Sequence, residues 1–379
     1  MKIKFILTIF TAVIWIITAI GCPVEFDDVE LEPYHSITGL DQPRKMSIVE
    51  ITGKDYLFVC DTKKGILKIS LEDNDSIFTV NDKSTSFSSL EESTIFTFKT
   101  GGDIDLTPID FDVASGRYMF VLLKNEDYTK TYIRRIDLQA EFTVVAADAD
   151  IQLISFQGGY LSVNSDAIFV SGYGTNSIKA YIIDNGDSYN FVDATTDTLK
   201  IVRTPGRIFA NANNWVYISD RSYIVPGVRM ISFDPASGKF DTTTDFFSTP
   251  ANTYFAGITF DSNKLYGVSG DGLVTYDLAL DTTTDTEFNK MSKKNTESVY
   301  NLHVNSGTGY LTRGYSILII NNIDTATPTK GKTITLGSRY QSLDSFVWVN
   351  DCILYNNGTD DYLISSSQGN GTLIINLLD

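Results

Sequence analysis

Residues that could carry catalytic chemistry are scarce in this chain. Its 379 residues include only two histidines, His35 and His303, and three cysteines. His303 lies in the segment YNLHVN, and we expect its ring to face a central channel once the repeated strands of the chain close into a ring. Acid–base or metal-assisted catalysis needs several such groups that converge from different strands. The sequence therefore favours a protein that is not an enzyme, and a metal-assisted hydrolase or lyase acting around His303 is the alternative.

Carboxylates occur in four short acidic clusters, at 103–105, 110–112, 148–150 and 281–285. Carboxylate oxygens are ligands that suit Ca²⁺. None of the clusters has the full spacing of a calcium-binding loop, and acidic residues are common in turns. We therefore expect no resident cofactor, and Ca²⁺ is the ion that these clusters could bind.

A third group of residues suits recognition rather than catalysis. Tyrosine and arginine recur in the segments that join the repeated strands. Tyrosine offers a large rigid contact, and arginine offers a directed set of donors. A chain with 20 tyrosines has them in many places, so chance recurrence is the alternative. We expect a face that binds a protein or a glycan, formed by Arg44, Tyr128, Tyr173, Arg207, Asp220, Arg221, Tyr223, Arg313 and Tyr315.

The elements that must position these residues repeat along the chain. Short segments rich in β-branched and aromatic residues recur at steps of 43 to 62 residues, and no stretch sustains a helical period. Each repeat predicts a first, a second and a third strand. The predicted second strands are KDYLFVCD (54–61), GRYMFVLL (116–123), SDAIFVSG (165–172), NNWVYISD (213–220), SNKLYGVSG (262–270), GTGYLTRG (307–314) and NDCILYNNG (350–358).

Three strands and a more variable outer strand, repeated seven times, predict an all-β, seven-bladed β-propeller over residues 34–379. The last predicted third strand is GTLIINLLD (371–379), so residues 34–40 are expected to supply the outer strand of that blade and to close the ring. The long first step places an insertion at about 73–106. A row of separate β-sandwiches is the alternative, but it would not give one regular period.

Each repeat consists of a proline, a strand, a turn, a strand, a glycine and a strand. This pattern resembles bacterial NHL- and YVTN-type propellers, some of which are lipid-anchored. The resemblance covers residues 34–379. It implies a propeller fold and implies no particular activity, because one fold hosts many functions.

The N-terminus has the pattern of an export signal. Lys2 and Lys4 precede an apolar run over residues 5–20, about 24 Å of helix, which is short for a membrane-spanning helix. An uncleaved transmembrane anchor is the alternative. The ending Ala19-Ile20-Gly21-Cys22 resembles the lipobox of bacterial lipoproteins. That resemblance implies cleavage before Cys22 and acylation of Cys22 with diacylglycerol and fatty acids such as palmitate, which would anchor the chain on the extracytoplasmic side of a cell-envelope membrane.

Charge and composition restrict the partners. Without residues 1–22 the chain has 28 basic and 47 acidic residues, a net charge of −19, which disfavours nucleic acid as a partner. Residues 23–33, PVEFDDVELEP, are acidic and contain two prolines, so they predict a solvated tether between the lipid and the propeller.

The remaining cysteines, Cys60 and Cys352, are expected to be free thiols. The predicted strands place Cys60 at the end of one second strand and Cys352 at the start of another. Equivalent strands run in the same direction, so the two thiols would lie about 15–20 Å apart along the strands, beyond the reach of a disulfide.

Overall fold

The chain folds into short β-strands. The computed structural model contains no helix among the residues it describes, and so no helix there that could cross a membrane. The described residues are 28–31, 35–71, 84–86, 95–96, 98–99, 105–127, 129–139, 151–153, 157–173, 177–184, 190–191, 198–200, 205–220, 227–241, 245–248, 255–261, 264–269, 272–277, 289–290, 299–313, 316–323, 329–336, 349–367 and 371–378.

The strands are numbered in chain order. They are β1 (Asp28–Leu31), β2 (His35–Thr38), β3 (Pro43–Ile51), β4 (Lys54–Asp61), β5 (Gly65–Ser70), β6 (Ser84–Ser86), β7 (Ile95–Phe96), β8 (Phe98–Lys99), β9 (Asp105–Ala114), β10 (Tyr118–Asn125), β11 (Thr131–Asp137), β12 (Ile151–Leu153), β13 (Gln157–Val163), β14 (Ala167–Tyr173), β15 (Ser177–Asp184), β16 (Asn190–Phe191), β17 (Thr198–Lys200), β18 (Pro205–Ala210), β19 (Trp215–Asp220), β20 (Gly227–Asp234), β21 (Lys239–Phe240), β22 (Asp245–Ser248), β23 (Phe255–Asp261), β24 (Lys264–Ser269), β25 (Gly272–Asp277), β26 (Asn289–Lys290), β27 (Val299–Asn305), β28 (Thr308–Arg313), β29 (Ser316–Asn321), β30 (Thr329–Leu336), β31 (Val349–Asn356), β32 (Asp361–Ser367) and β33 (Thr372–Leu378).

Within the described part of the chain, these strands form seven small sheets. In each sheet a first, a second and a third strand pair antiparallel in sequence order, with shorter strands beside them. The first strands are β3, β9, β13, β18, β23, β27 and β31, and we number the sheets one to seven in that order.

The predicted repeats agree with sheets one to six, and the seventh repeat is wrong. The segment 350–358 was expected to be a second strand, but it lies in β31, the first strand of sheet seven. The second strand is β32, DYLISSS, which the sequence pattern does not reveal because it ends in three serines.

Apolar side chains fill the spaces between consecutive sheets. Phe58 of sheet one and Phe111 of sheet two share one core cluster, and Phe120 of sheet two shares the next with Ile168 of sheet three. A cluster of the same kind joins Leu57 of sheet one to Ile375 of sheet seven. Each sheet therefore buries both faces against neighbours, as expected where small sheets cannot form a core alone.

Tight hairpins join first to second strands at one end of the sheets. In the turn Thr52-Gly53 both residues have positive φ, 52° and 79°, and Ser306-Gly307 repeats this with 48° and 76°. Two consecutive residues with positive φ give a turn whose twist matches that of the flanking strands. We call this end of the sheets, marked by Thr52, Ser115, Asn214, Ser306 and Gly358, the hairpin face.

The N-terminal segment extends two sheets. β1 pairs in parallel with β30 at the outer edge of sheet six, and β2 pairs antiparallel with β33 in sheet seven. The prediction of a solvated tether over 23–33 therefore needs correction at 28–31, because β30 offers that segment a row of backbone partners. The remaining residues 23–27 and the signal sequence 1–22 lie outside the described residues.

The segment 73–106, predicted as an insertion, contributes short outer strands. β6 pairs with β2, β7 with β5 and β8 with β9. These pairings link sheet seven, sheet one and sheet two through one stretch of chain.

Candidate functional site

The first strand of every sheet carries an irregularity at the same place. Near the start of each first strand its register with the second strand shifts, in sheet one between Pro43 and Lys45. Such a bulge re-aims the side chain that follows it. We call the residue two places after the last one paired before the shift the post-bulge position, although in sheet four pairing resumes only at Ile208. The post-bulge positions are Lys45, Asp110, Tyr160, Arg207, Gly257, Asn301 and Asp351.

These positions lie at the end of the sheets opposite the hairpin face, and we call that end the bulge face. Consecutive first strands are in contact, including β3 with β31. Neighbouring post-bulge side chains consequently meet. Lys45 Nζ lies 2.9 Å from Asp110 Oδ1, the guanidinium of Arg207 lies 5.9 Å from the ring centre of Tyr160, and Asn301 Nδ2 donates a hydrogen bond to Asp351.

The carboxylates at these positions also connect adjacent sheets through the main chain. Asp110 Oδ2 accepts a 2.8 Å hydrogen bond from the N–H of Leu161, and Asp351 Oδ2 accepts one of 2.9 Å from the N–H of Met46. Both carboxylates are buried. Because buried polar groups are costly unless they are paired, these two aspartates have a structural role between sheets.

Asp112, two residues beyond Asp110, forms a second connection of this kind. Its Oδ2 accepts hydrogen bonds from the N–H of Val163 at 2.8 Å and from the hydroxyl of Ser162 at 3.3 Å. The acidic cluster 110–112, which the sequence offered as possible Ca²⁺ ligands, is thus occupied by donors of the protein. Among the described residues no group of three or more His, Cys, Asp or Glu side chains is arranged to hold a metal ion.

Burial and neighbouring charges shift the pKa values of this cluster. Burial raises the pKa of Asp351 above its usual value, although Arg207, Lys45 and the Met46 N–H oppose the change. Burial likewise raises the pKa of Asp112 against the opposing charge of Lys45. Burial alone would lower the pKa of Lys45, but Asp110 and Asp112 hold it above the usual value. Lys45 therefore remains a cation.

The solvent-accessible part of this region is cationic. Arg44, at the bulge itself, is exposed, Arg207 is half-buried, and the side chain of Lys45 is 26% exposed, whereas Asp110 and Asp351 are buried. Burial and the charge of Arg44 lower the pKa of Lys124 nearby. Among Arg44 and the post-bulge side chains, a ligand therefore meets guanidinium groups before carboxylates, whereas the loop after β10 places the exposed carboxylates of Glu126 and Asp127 at the same end of the sheets.

Two of the nine predicted binding residues, Arg44 and Arg207, have described side chains, and both lie at the bulge face. Tyr173, Asp220 and Arg313 end second strands at that face, and nothing is described of their side chains. Outside the described residues lie Tyr128, Arg221, Tyr223 and Tyr315.

Asp61, which also ends a second strand at this face, has a structural role. Its carboxylate is fully buried and accepts hydrogen bonds of 2.8 to 3.0 Å from the N–H groups of four residues. The donors are Asp41, Gln42, Lys63 and Lys64. Asp61 therefore fixes the loop that precedes β3 and the loop that follows β4.

His303 lies on a first strand, as the sequence predicts, and its ring is half-buried. It sits opposite Tyr310 across the strand pair, with the two ring centres 6.3 Å apart. Side chains of a first strand face the neighbouring sheets, and the ring lies beside Tyr310 of the second strand.

Lys45, Asn301 and Asp351 were not among the sequence candidates, and Asp110 was offered only as a possible Ca²⁺ ligand. A signal for three positions was present, because Pro43, Pro108 and Pro205 each precede a post-bulge residue by two places. Proline in a sheet is confined to strand starts and bulges, so a proline followed two places later by a charged residue marks the site.

No protein-family model and no curated protein sequence matches the chain. Solved structures do match it. The Neurospora crassa Pan2 WD40 domain is 9% identical, with 94% of this chain and 97% of that one covered and a TM-score of 0.56. A Bacteroides uniformis protein assigned as a 6-phosphogluconolactonase is 10% identical, with 82% and 84% covered and a TM-score of 0.54.

The extracellular domain of BT4673 from B. thetaiotaomicron is 12% identical, with a TM-score of 0.52; 92% of this chain matches 39% of that one. The chain thus spans about two fifths of that domain. Likeness at these identities shows the fold, which is a β-propeller, and leaves activity to the site itself.

Proposed function

We propose that this chain is a non-enzymatic binding or scaffolding propeller of a bacterial cell envelope, which recognises a protein or a glycan at its bulge face. The observation that carries the proposal is the cationic centre of that face. Arg207 lies against Tyr160, and Arg44 is exposed beside Lys45. Arginine and tyrosine are the residue types that most often anchor a binding partner.

The scaffold in this proposal is a closed, seven-bladed propeller of the NHL/YVTN kind. Two contacts between the first and last sheets support closure: the hydrogen bond from Met46 to Asp351 and the cluster shared by Leu57 and Ile375. The pairing of the N-terminal strand β2 with β33 of sheet seven supports it as well. A closed ring has no exposed sheet edge between first and last blades, which protects it from pairing with other chains.

The anchor in this proposal is a lipid on Cys22. The apolar run over residues 5–20 and the sequence Ala19-Ile20-Gly21-Cys22 support export, cleavage and acylation. The likeness to an extracellular domain fits a position outside the cytoplasm. Labelling with radioactive palmitate tests the anchor, because Cys22→Ser removes the thiol that would carry the diacylglycerol and should abolish labelling.

Recognition at the bulge face can be tested with paired substitutions. Purified protein is screened against a glycan array, and a photo-crosslinking amino acid at residue 44 captures partners in intact cells. Arg207→Gln should weaken the strongest interaction found by at least about tenfold, since an anchoring arginine contributes about 2 kcal/mol or more. Lys54→Gln removes an exposed cation at the hairpin face and should change nothing. Equal binding by both variants would contradict the proposal.

A further inference from the structure

The direction of β1 shows on which side the chain enters the propeller. β30 begins at Thr329, which pairs with Asn321, and ends at Leu336. The residue before Leu336, Thr335, pairs with Ser316. Ser316 opens the third strand at the bulge face, where it pairs with Arg313. Because β1 is parallel to β30, its chain direction also leads toward the bulge face. The first residue of β1, Asp28, therefore lies at the end of the strand nearer the hairpin face.

The length of chain before β1 is short. Five residues, 23–27, separate Cys22 from Asp28, and an extended chain of that length spans about 20 Å. Asp28 pairs with Thr333, four residues from Thr329 at the hairpin end of β30, or about 13 Å. An extended approach along this edge consequently places Cys22 just beyond the hairpin face.

The opposite arrangement does not fit the same length. To reach a bilayer at the bulge face, the chain would have to reverse direction directly before Asp28. A reversal takes about four residues. The chain that is left is too short to span β30 from Thr333 to Leu336 and also enter the lipid.

The hairpin edge of sheet six suits an approach to lipid headgroups. Its exposed residues Asn305, Ser306, Asn321 and Asn322 are neutral and polar. The chain as a whole is acidic, and anionic lipids repel acidic surfaces. Near this end β30 adds two cations, Lys330 and the exposed Lys332, so the edge can approach such a surface with little electrostatic penalty.

We propose that the hairpin face at sheet six lies against the membrane and that the bulge face points away from it. This inference rests on the lipid anchor at Cys22 proposed above, and its partner is the headgroup region of the bilayer that holds the anchor. The binding face would then be open to ligands in the surrounding compartment.

The orientation can be measured by quenching in vesicles. A fluorescent amino acid is placed at Ser306 on the hairpin face or at Lys63, which is 69% exposed at the bulge face. The lipidated protein is reconstituted in phosphatidylcholine vesicles that contain a headgroup nitroxide. Ser306 should be quenched at least threefold more strongly than Lys63, because the two faces lie about 25 Å apart along a strand of eight or nine residues. Equal quenching, or stronger quenching at Lys63, would overturn the proposal.

A second preparation separates the orientation from the anchor. The chain from residue 22 onward is coupled through Cys22 to a maleimide phospholipid, which is selective because Cys60 and Cys352 are buried. If cells do not acylate Cys22, the proposed anchor fails, and the coupled protein still reports whether the short N-terminal segment imposes this orientation. If cells acylate Cys22 and both preparations show equal quenching at the two sites, the orientation alone fails.

Discussion

The main-chain N–H of Met46 donates a 2.9 Å hydrogen bond to Oδ2 of Asp351, a residue 305 positions later in the chain. Oδ1 of the same carboxylate accepts from the N–H of Cys352 and from the amide of Asn301. One buried carboxylate thereby links sheets one, six and seven. Removing it would leave three donors without a partner.

Protonation of this carboxylate should affect stability in a defined direction. Burial raises the pKa of Asp351 and of Asp112 in the folded state above the unfolded value of about 3.9. The folded state therefore binds these protons more tightly, so their contribution to stability should rise as the pH falls from the raised values toward about 4, and should be constant below that. In urea unfolding between pH 7 and pH 4, Asp351→Asn should show a weaker dependence of the free energy on pH. An unchanged dependence on pH would contradict a raised pKa of Asp351 in the folded state.

The ion pair between Lys45 and Asp110 should contribute more to stability than an exposed pair. Lys45→Met leaves Asp110 buried without its counter-charge, which should lower the free energy of unfolding by about 2–3 kcal/mol. Lys63 and Asp41 form a comparison pair at 2.8 Å whose side chains are 69% and 31% exposed, so Lys63→Met should change it by less than about 1 kcal/mol. Chemical denaturation of both variants measures the difference, and equal losses would show that Asp110 is solvated.

Gly371 should tolerate no side chain. It has a φ of 59°, and a Cβ there would lie 1.9 Å from the carbonyl oxygen of Leu40, whose N–H donates to the Gly371 carbonyl. Gly371→Ala should therefore separate the chain before β3 from sheet seven and lower the melting temperature strongly. Gly358→Ala is the matched control, since it has a φ of 91° with open space around it and should cost only about 1–2 kcal/mol of backbone strain. Similar losses for both variants would exclude the close approach.

Truncation from the N-terminus should reveal which segments contribute to the fold. In chains that begin after the signal sequence, deleting residues 23–27 should leave the melting temperature unchanged. Extending the deletion through β1 to residue 31 should lower it, because the outer edge of β30 loses its partner. Extending it through β2 to residue 38 should lower it further and promote aggregation, since β33 becomes an exposed edge. Equal stability of all three chains would refute both pairings.

Cys60 and Cys352 are free, as the sequence predicts, and both are buried, but the strand assigned to Cys352 was wrong. Cys352 lies on a first strand, where its thiol donates to the Tyr310 carbonyl at 3.6 Å. Burial raises the pKa of both thiols well above the usual value, so neither forms a reactive thiolate readily. Thiol titration of the Cys22→Ser protein should find no rapidly reacting group in the native state and two after denaturation without reductant. A single thiol in the denatured protein would indicate modification, and none would indicate a disulfide.

The repeat of β-branched and aromatic segments was sufficient to place the three main strands of six sheets, because each second strand is an apolar run next to a turn. The same signal was insufficient for sheet seven. There β31 is as apolar as a second strand, and β32 ends in three buried serines. A pattern based on apolar residues therefore assigns β31 as the second strand, although β32 is the more completely buried of the two.

The sequence by itself predicted an export signal, and it determined the scarcity of catalytic groups, the strand repeat and the placing of Arg44 and Arg207 on one face. Only the tertiary structure decided that Lys45, Asp110, Asn301 and Asp351 meet at the centre of that face, and that residues 28–31 form a strand. Local patterns follow from the propensity and burial of each segment. The meeting of residues 50 to 300 positions apart depends instead on how the sheets pack and on bulges that turn single side chains, and neither leaves a periodic signal in the chain.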